Sequence, residues 1–134
     1  MIQPRAEETL RAINASGFKV GGMRLVAVSE GRSVVHVTTT AEHTNLFGRV
    51  HGCVAATLVD DVGTIAIAAS DREGRPGVSV DLNVTWLTGC PVAADLIVTA
   101  DVLRAGRTMA FVSVRIEDND GRLMAVGRMS KALR

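Results

Sequence analysis

Hydrophobic positions along the chain change their period several times, and each change marks an element. Within residues 4–16, Ala6, Leu10 and Ile13 recur at helical spacing with polar residues between them. Pro4 suits a first helical turn and Gly17 a stop, which predicts a short amphipathic helix lying outside the core. Residues 23–28 and 33–40 read as two strands separated by Ser29-Glu30-Gly31-Arg32, the second rich in β-branched Val34, Val35, Val37 and Thr38. From 53 to 70 almost no polar face remains, so this segment is predicted to be a helix buried on most sides. Its alanines and Gly63 let neighbouring backbone come close. Residues 77–86 alternate, which predicts Val78, Val80, Leu82, Val84 and Trp86 on one face and Ser79, Asp81, Asn83 and Thr85 on the other. Segments 95–104, 107–117 and 123–133 follow, joined at Ala105-Gly106 and at Asn119-Asp120-Gly121, and predict an antiparallel meander. One buried helix with one antiparallel sheet predicts an α+β domain over residues 1–134, the sheet curling around the helix.

Composition narrows the function classes. A chain of 134 residues, 47% hydrophobic and 22% charged, has the make-up of one soluble globular domain rather than a disordered segment. Fifteen basic against fourteen acidic residues leave a net charge of +1, which gives no footprint for a nucleic-acid partner. No membrane span is expected, because Asp60 and Asp61 interrupt the most apolar stretch. The first eight residues hold no apolar signal core, and their two glutamates disfavour a mitochondrial transit peptide. Cys53 and Cys90 lack any CxxC spacing and read as reduced thiols of a cytoplasmic protein. His36, His43 and His51 show no ligand spacing, so neither metal nor cofactor is expected.

Chemistry concentrates where the loop 41–52 meets the apolar helix. Burying a carboxylate is costly unless it is paired, so Asp60 and Asp61 stand out. They lie about 100° apart on the helix and cannot both face one environment. Asp61 reads as a residue facing solvent or an interface, while Asp60 is either a structural buried acid or a catalytic one. His51-Gly52 falls at the helix start, where free N–H groups and the positive end of the dipole suit a developing oxyanion. Glycine there admits a substrate carbonyl to the backbone. The Asn45 amide, in the same loop, has a donor for that carbonyl. His51 has the chemistry to donate a hydrogen bond or to shuttle a proton near neutral pH.

The run from His43 through Asn45 to His51-Gly52-Cys53, followed by Thr57-Leu58-Val59-Asp60, resembles the signature of the hotdog-fold thioesterases. The resemblance is to the subgroup of the phenylacetyl-CoA thioesterases and thioesterase superfamily member 2. It continues through 77–83 and 106–111 and covers nearly all of the chain after the first helix. It implies a hotdog fold and an acyl-CoA thioesterase. In that likeness Asn45 and the Gly52 N–H polarise the thioester carbonyl, and Asp60 is the general base or, second, the nucleophile. Ser79 orients the water, and His51 positions the substrate or the loop. It also implies a site shared between two subunits, Asn45/Gly52 from one and Asp60/Ser79 from the other, hence a homodimer at minimum and commonly a homotetramer. One departure is that some members carry histidine in the last strand, where this chain has Met129 and Ala132.

Arg104, Arg107, Arg128 and Lys131 are expected to gather at strand ends as a site for CoA phosphates. A pocket wall is expected from Leu46, Phe47, Leu58, Val62 and Trp86. Cys53, beside His51 at a helix start, has the setting of a nucleophile. The resemblance places a small residue there, so Cys53 is read as structural. The alternatives are a hotdog dehydratase or hydratase, whose His and acid pair differs from this pattern, and a non-catalytic acyl-CoA-binding protein, which needs no Asp60.

Overall fold

The longest apolar run of the chain becomes its central helix, and everything else is arranged around it. The computed structural model describes residues 2–16, 20 and 22–134; the expected stop at Gly17 lies outside the described residues. In chain order the elements are α1 (Ile2–Ala15), β1 (Met23–Ser29), β2 (Arg32–Thr38), α2 (Gly52–Ser70), β3 (Val78–Trp86), β4 (Asp95–Ala105), β5 (Met109–Asp118) and β6 (Leu123–Ala132). The six strands form one antiparallel sheet in the order β1-β2-β4-β5-β6-β3, and each of them touches α2. A long helix wrapped by one antiparallel sheet, with a short N-terminal helix alongside, is the hotdog arrangement, as expected. By length and composition α2 would suffice to cross a membrane despite its two aspartates, and 61% of it is buried within its own protein.

Burial follows the strand period. Val35 and Val37 of β2, Leu96, Val98 and Ala100 of β4, and Val112, Val114 and Ile116 of β5 turn inward and are essentially inaccessible. They meet Leu58, Val59, Val62 and Ile65 of α2, which are wholly buried and contribute about 1.5–3 kcal/mol each by leaving water. Small residues set the helix–sheet spacing. A Cβ on Gly63 would lie 2.7 Å from the Met129 side chain, and one on Gly127 would lie 2.5 Å from Val59 and 2.9 Å from the Asn83 carbonyl. Polar ties hold the middle and the C-terminal end of the helix: the Ser33 hydroxyl donates to the Val62 carbonyl at 3.0 Å, and the Gly31 N–H to the Ser70 hydroxyl at 2.7 Å. Past the helix C-terminus the buried Asp71 carboxylate accepts from Arg75 Nη2 at 2.9 Å and Nε at 3.1 Å, and from the Glu73 and Arg75 N–H groups.

The expected alternation of β3 fails at one point. The ladder with β6 shifts register between Ser79 and Asp81, so Val80 is an extra residue in a bulge. Leu82, Val84 and Trp86 keep the inward face as predicted. Upstream of the bulge the faces exchange: Ser79 turns toward α2, while Val78 and Val80 stand 54% and 64% exposed. β3 is also an outer strand of the sheet, with one edge unpaired.

Two changes test this packing. Gly127→Ala forces Val59 or the β3 backbone aside and is expected to cost about 1–3 kcal/mol, read as a lower midpoint in thermal denaturation. The Arg75 hydrogen bonds hold the Asp71 carboxyl below the ordinary aspartate range. Its contribution is therefore present at neutral pH and lost as pH falls through that depressed value. Asp71→Asn is expected to cost about 2 kcal/mol at pH 7, with a penalty in denaturant titrations that fades under strong acid.

Candidate active site

The loop before α2 is built to present Asn45. Its backbone N–H donates to the Arg49 carbonyl at 2.6 Å, and Gly48 closes the turn at a φ of 69°. The Asn45 side-chain oxygen accepts from the N–H groups of Phe47 at 2.9 Å and Arg49 at 3.0 Å. With that oxygen occupied, the amide's NH₂ end is the part left to meet a ligand. His51 is the N-cap of α2: its Nδ1 accepts from the Cys53 N–H at 3.3 Å, so the ring proton sits on Nε2. Gly52 opens the helix and its N–H has no acceptor within the helix. The Trp86 indole donates to the Gly52 carbonyl at 3.1 Å, so β3 and the helix start are locked together. A concavity of about 380 Å³ lined by Asn45, Phe47, Arg49, Gly52 and Trp86 lies over these groups. A Cβ on Gly52 would find its nearest contact at 3.5 Å, which is ordinary packing, so nothing inside the chain demands glycine here.

The second group lies two turns along α2. Asp60 and Ser79 meet because of the β3 bulge, the Ser79 hydroxyl donating to Asp60 Oδ1 at 2.7 Å. The Asp60 side chain remains 45% exposed, so its other oxygen is open to solvent or substrate. Eight residues at 1.5 Å rise separate Gly52 from Asp60, about 12 Å along the axis. Within one chain the two groups cannot act on a single carbonyl carbon.

The expected cluster of four cations does not form. Arg104 and Arg107 border a concavity of about 790 Å³ with Arg72 and Arg75, beyond the C-terminal end of α2. Arg128 is opposite Asn83 and Ser113 on the outer face of the sheet, since its neighbours Gly127 and Met129 face the helix. Lys131 is 4% exposed: its ammonium donates to the Thr64 hydroxyl and stands 3.9 Å from Asp60 Oδ1. An ammonium sealed in the core cannot serve a phosphate at the surface. The expected pocket wall divides as well, because Leu58 and Val62 are wholly buried in the core while Leu46 and Phe47 are 99% and 86% exposed.

The family model of the thioesterase superfamily matches residues 47–125, which include Gly52, Asp60 and Ser79. The chain belongs to the thioesterase superfamily. Human acyl-coenzyme A thioesterase 13 is 40% identical to it over 99% of this chain and 96% of its own length. The crystal structure of zebrafish thioesterase superfamily member 2 aligns at a TM-score of 0.84 and 36% identity, covering 95% of this chain and 94% of that one. A Streptococcus mutans protein solved with acetyl-CoA bound shares the fold at a TM-score of 0.80 and 17% identity, over 88% of this chain and 94% of its own.

Asp61, expected to face solvent or an interface, is half-buried on the polar side of α2. The polar stripe of α2 runs from Thr57 through Asp60 and Asp61 to Thr64, none of them buried. Asp60 faces β3 from one edge of that stripe. Asp61 faces a cavity of about 700 Å³ between α1 and α2, and its buried Oδ2 has no hydrogen-bond partner among the described residues. Burial, and then the charge of Asp60, push the Asp61 carboxyl up to about 6, against the pull of Lys131. Because the folded value exceeds the unfolded one, the folded chain holds the proton longer, and this group erodes stability as pH rises from 3.8 to about 6. Asp61→Asn is accordingly expected to raise the melting temperature at pH 7.5, with the gain shrinking toward pH 4 in a series of thermal scans.

Proposed function

We propose that the protein is an acyl-CoA thioesterase that releases a free acid and CoA by water attack at a site shared between two subunits. The observation that carries this is the Ser79–Asp60 pair. A carboxylate on an otherwise apolar helix is hydrogen-bonded on one oxygen and open on the other, which is the arrangement a general base needs. The Asn45 amide and the Gly52 N–H hold the thioester oxygen. Ser79, having donated to Asp60, keeps lone pairs with which to accept from the attacking water. As Asp60 takes the water proton, the carbonyl oxygen becomes an anion facing the helix N-terminus, and its collapse expels the CoA thiolate. His51, occupied as a cap, steadies the loop and offers Nε2–H to the substrate.

The separation of about 12 Å between the two groups supports a partner that brings the missing half. The free edge of β3, with Val78 and Val80 exposed beside it, supports pairing of that strand with its copy in a homodimer. Leu103, at the β4 bulge, and Phe111 of β5, opposite Arg104, are exposed apolar residues that support a further association into a homotetramer. Arg104 and Arg107 are assigned to the phosphates of CoA, supported by their shared concavity. The reduced Cys53 and Cys90 fit a cytoplasmic setting.

A thiol-release assay over short, medium, long and aryl acyl-CoAs is expected to detect CoA with at least one of them; silence across the panel refutes the activity. With the best substrate, Asp60→Asn is expected to lose at least about 100-fold in kcat while keeping its oligomeric mass in light scattering. Gly52→Ala is expected to keep or raise the melting temperature and still lose most activity, since the added Cβ meets only Trp86, at the ordinary packing distance of 3.5 Å. Refolding the two inactive variants together is expected to restore turnover, because each hybrid dimer holds one site with both halves intact. No recovery on mixing refutes the shared site.

A further inference from the structure

Lys131 occupies a place where the fold has no need of a charge. It lies on the inward face of β6, in the row of Ala125, Gly127 and Met129, and a methionine would fill the same space. Burying an ammonium costs several kcal/mol unless partners compensate it. The partners here belong to the catalytic turn. Its Nζ donates to the Thr64 hydroxyl, and that hydroxyl donates in turn to the Asp60 carbonyl at 2.6 Å. The same Nζ stands 3.9 Å from Asp60 Oδ1.

Among the described residues, the other charges nearby are few. β3 places Ser79 directly across the ladder from Lys131, and β5 places Ala110 there. α2 contributes Asp60, Asp61 and Thr64. α1 contributes Arg5 and Glu8, and the turn after α2 contributes Glu73; these line the same cavity between the helices as Asp61 and Thr64. Burial lowers the Lys131 ammonium's own pKa, while Asp60 and Asp61 raise it. Two adjacent carboxylates therefore act on one buried cation. The close contact goes to Asp60, and one Asp61 oxygen has no partner among the described residues.

We propose that Lys131 is a positioning residue for hydrolysis: from behind the helix it places the negative charge of the Asp60–Asp61 pair on Asp60 and, through Thr64, holds the turn that sets Asp60 against Ser79. The kinetic consequence rests on the thioesterase reading; the charge assignment does not. It also gives the last strand a role at this site although histidine is missing from positions 129 and 132.

The test uses the full-length protein with Lys131→Met, Lys131→Gln and Lys131→Arg. Carboxyl ¹³C shifts of Asp60 and Asp61, followed through a pH titration, are expected to show the pair's midpoints moving up by about one pH unit in the Met and Gln variants. Arg is expected to return them toward wild type. Gln keeps a donor for Thr64 without the charge, so it separates charge from hydrogen bond and serves if the Met variant does not fold. With an acyl-CoA substrate, kcat at pH 7 is expected to fall about tenfold or more with KM within about twofold. The acid limb of the kcat profile is expected to move upward with the NMR midpoints. Unchanged midpoints in both neutral variants overturn the proposal, as does a loss of kcat with no movement of the acid limb. A wild-type protein that released no CoA would count against the thioesterase reading, and the NMR titration would still decide the role of Lys131.

Discussion

The structure depends on enclosing α2. A sheet that wraps a helix on most of its circumference requires side chains that are apolar and small where the backbones come closest, and the helix answers with alanines, valines and Gly63. The enclosure is not complete. One stripe, from Thr57 to Thr64, is left only part-buried, and the two aspartates lie on it. The same packing that stabilises the fold thus confines polar chemistry to a narrow line, flanked by the bulged end of β3 on one side and by α1 on the other.

Along this line, position decides what each group does. At the N-terminus of α2 the backbone itself supplies the electrostatics, and the Asn45 loop is tied off so that its amide donor remains available. Further along, the carboxylates are separated by which neighbour they face. Asp60 meets a hydroxyl and a cation, whereas Asp61 meets a cavity and takes up a proton more readily. Adjacent residues of identical chemistry are driven apart in behaviour by their surroundings. On the proposed reading, the reach of about 12 Å between Gly52 and Asp60 makes assembly part of the chemistry rather than an addition to it.

Several features of this site could be read along the chain, and their physical basis is local. The helix periods, the β-branched strands and the Asp-Gly and Ala-Gly turns reflect short-range preferences, and they place the elements within a few residues of where they lie. The anomaly of Asp60 in an apolar run, and Asn45 with His51-Gly52 ahead of a helix start, are likewise visible as violations of local pattern. Lys131 offered no such violation, because a basic residue near a strand end resembles ordinary surface charge.

Tertiary structure decided what depends on register and on neighbours distant in sequence. Simple alternation puts Ser79 on the face opposite Trp86; one bulged residue, Val80, exchanges the faces upstream and delivers the hydroxyl to Asp60. Four cations that looked alike were sorted by strand face and position into a shared concavity, an outer sheet face and the protein core. The chain alone determined which elements form and where polar groups interrupt them, because those depend on contacts a few residues apart. Which of those groups meet depends on a one-residue shift in a strand ladder and on which side of α2 each one emerges, and only the folded sheet sets both.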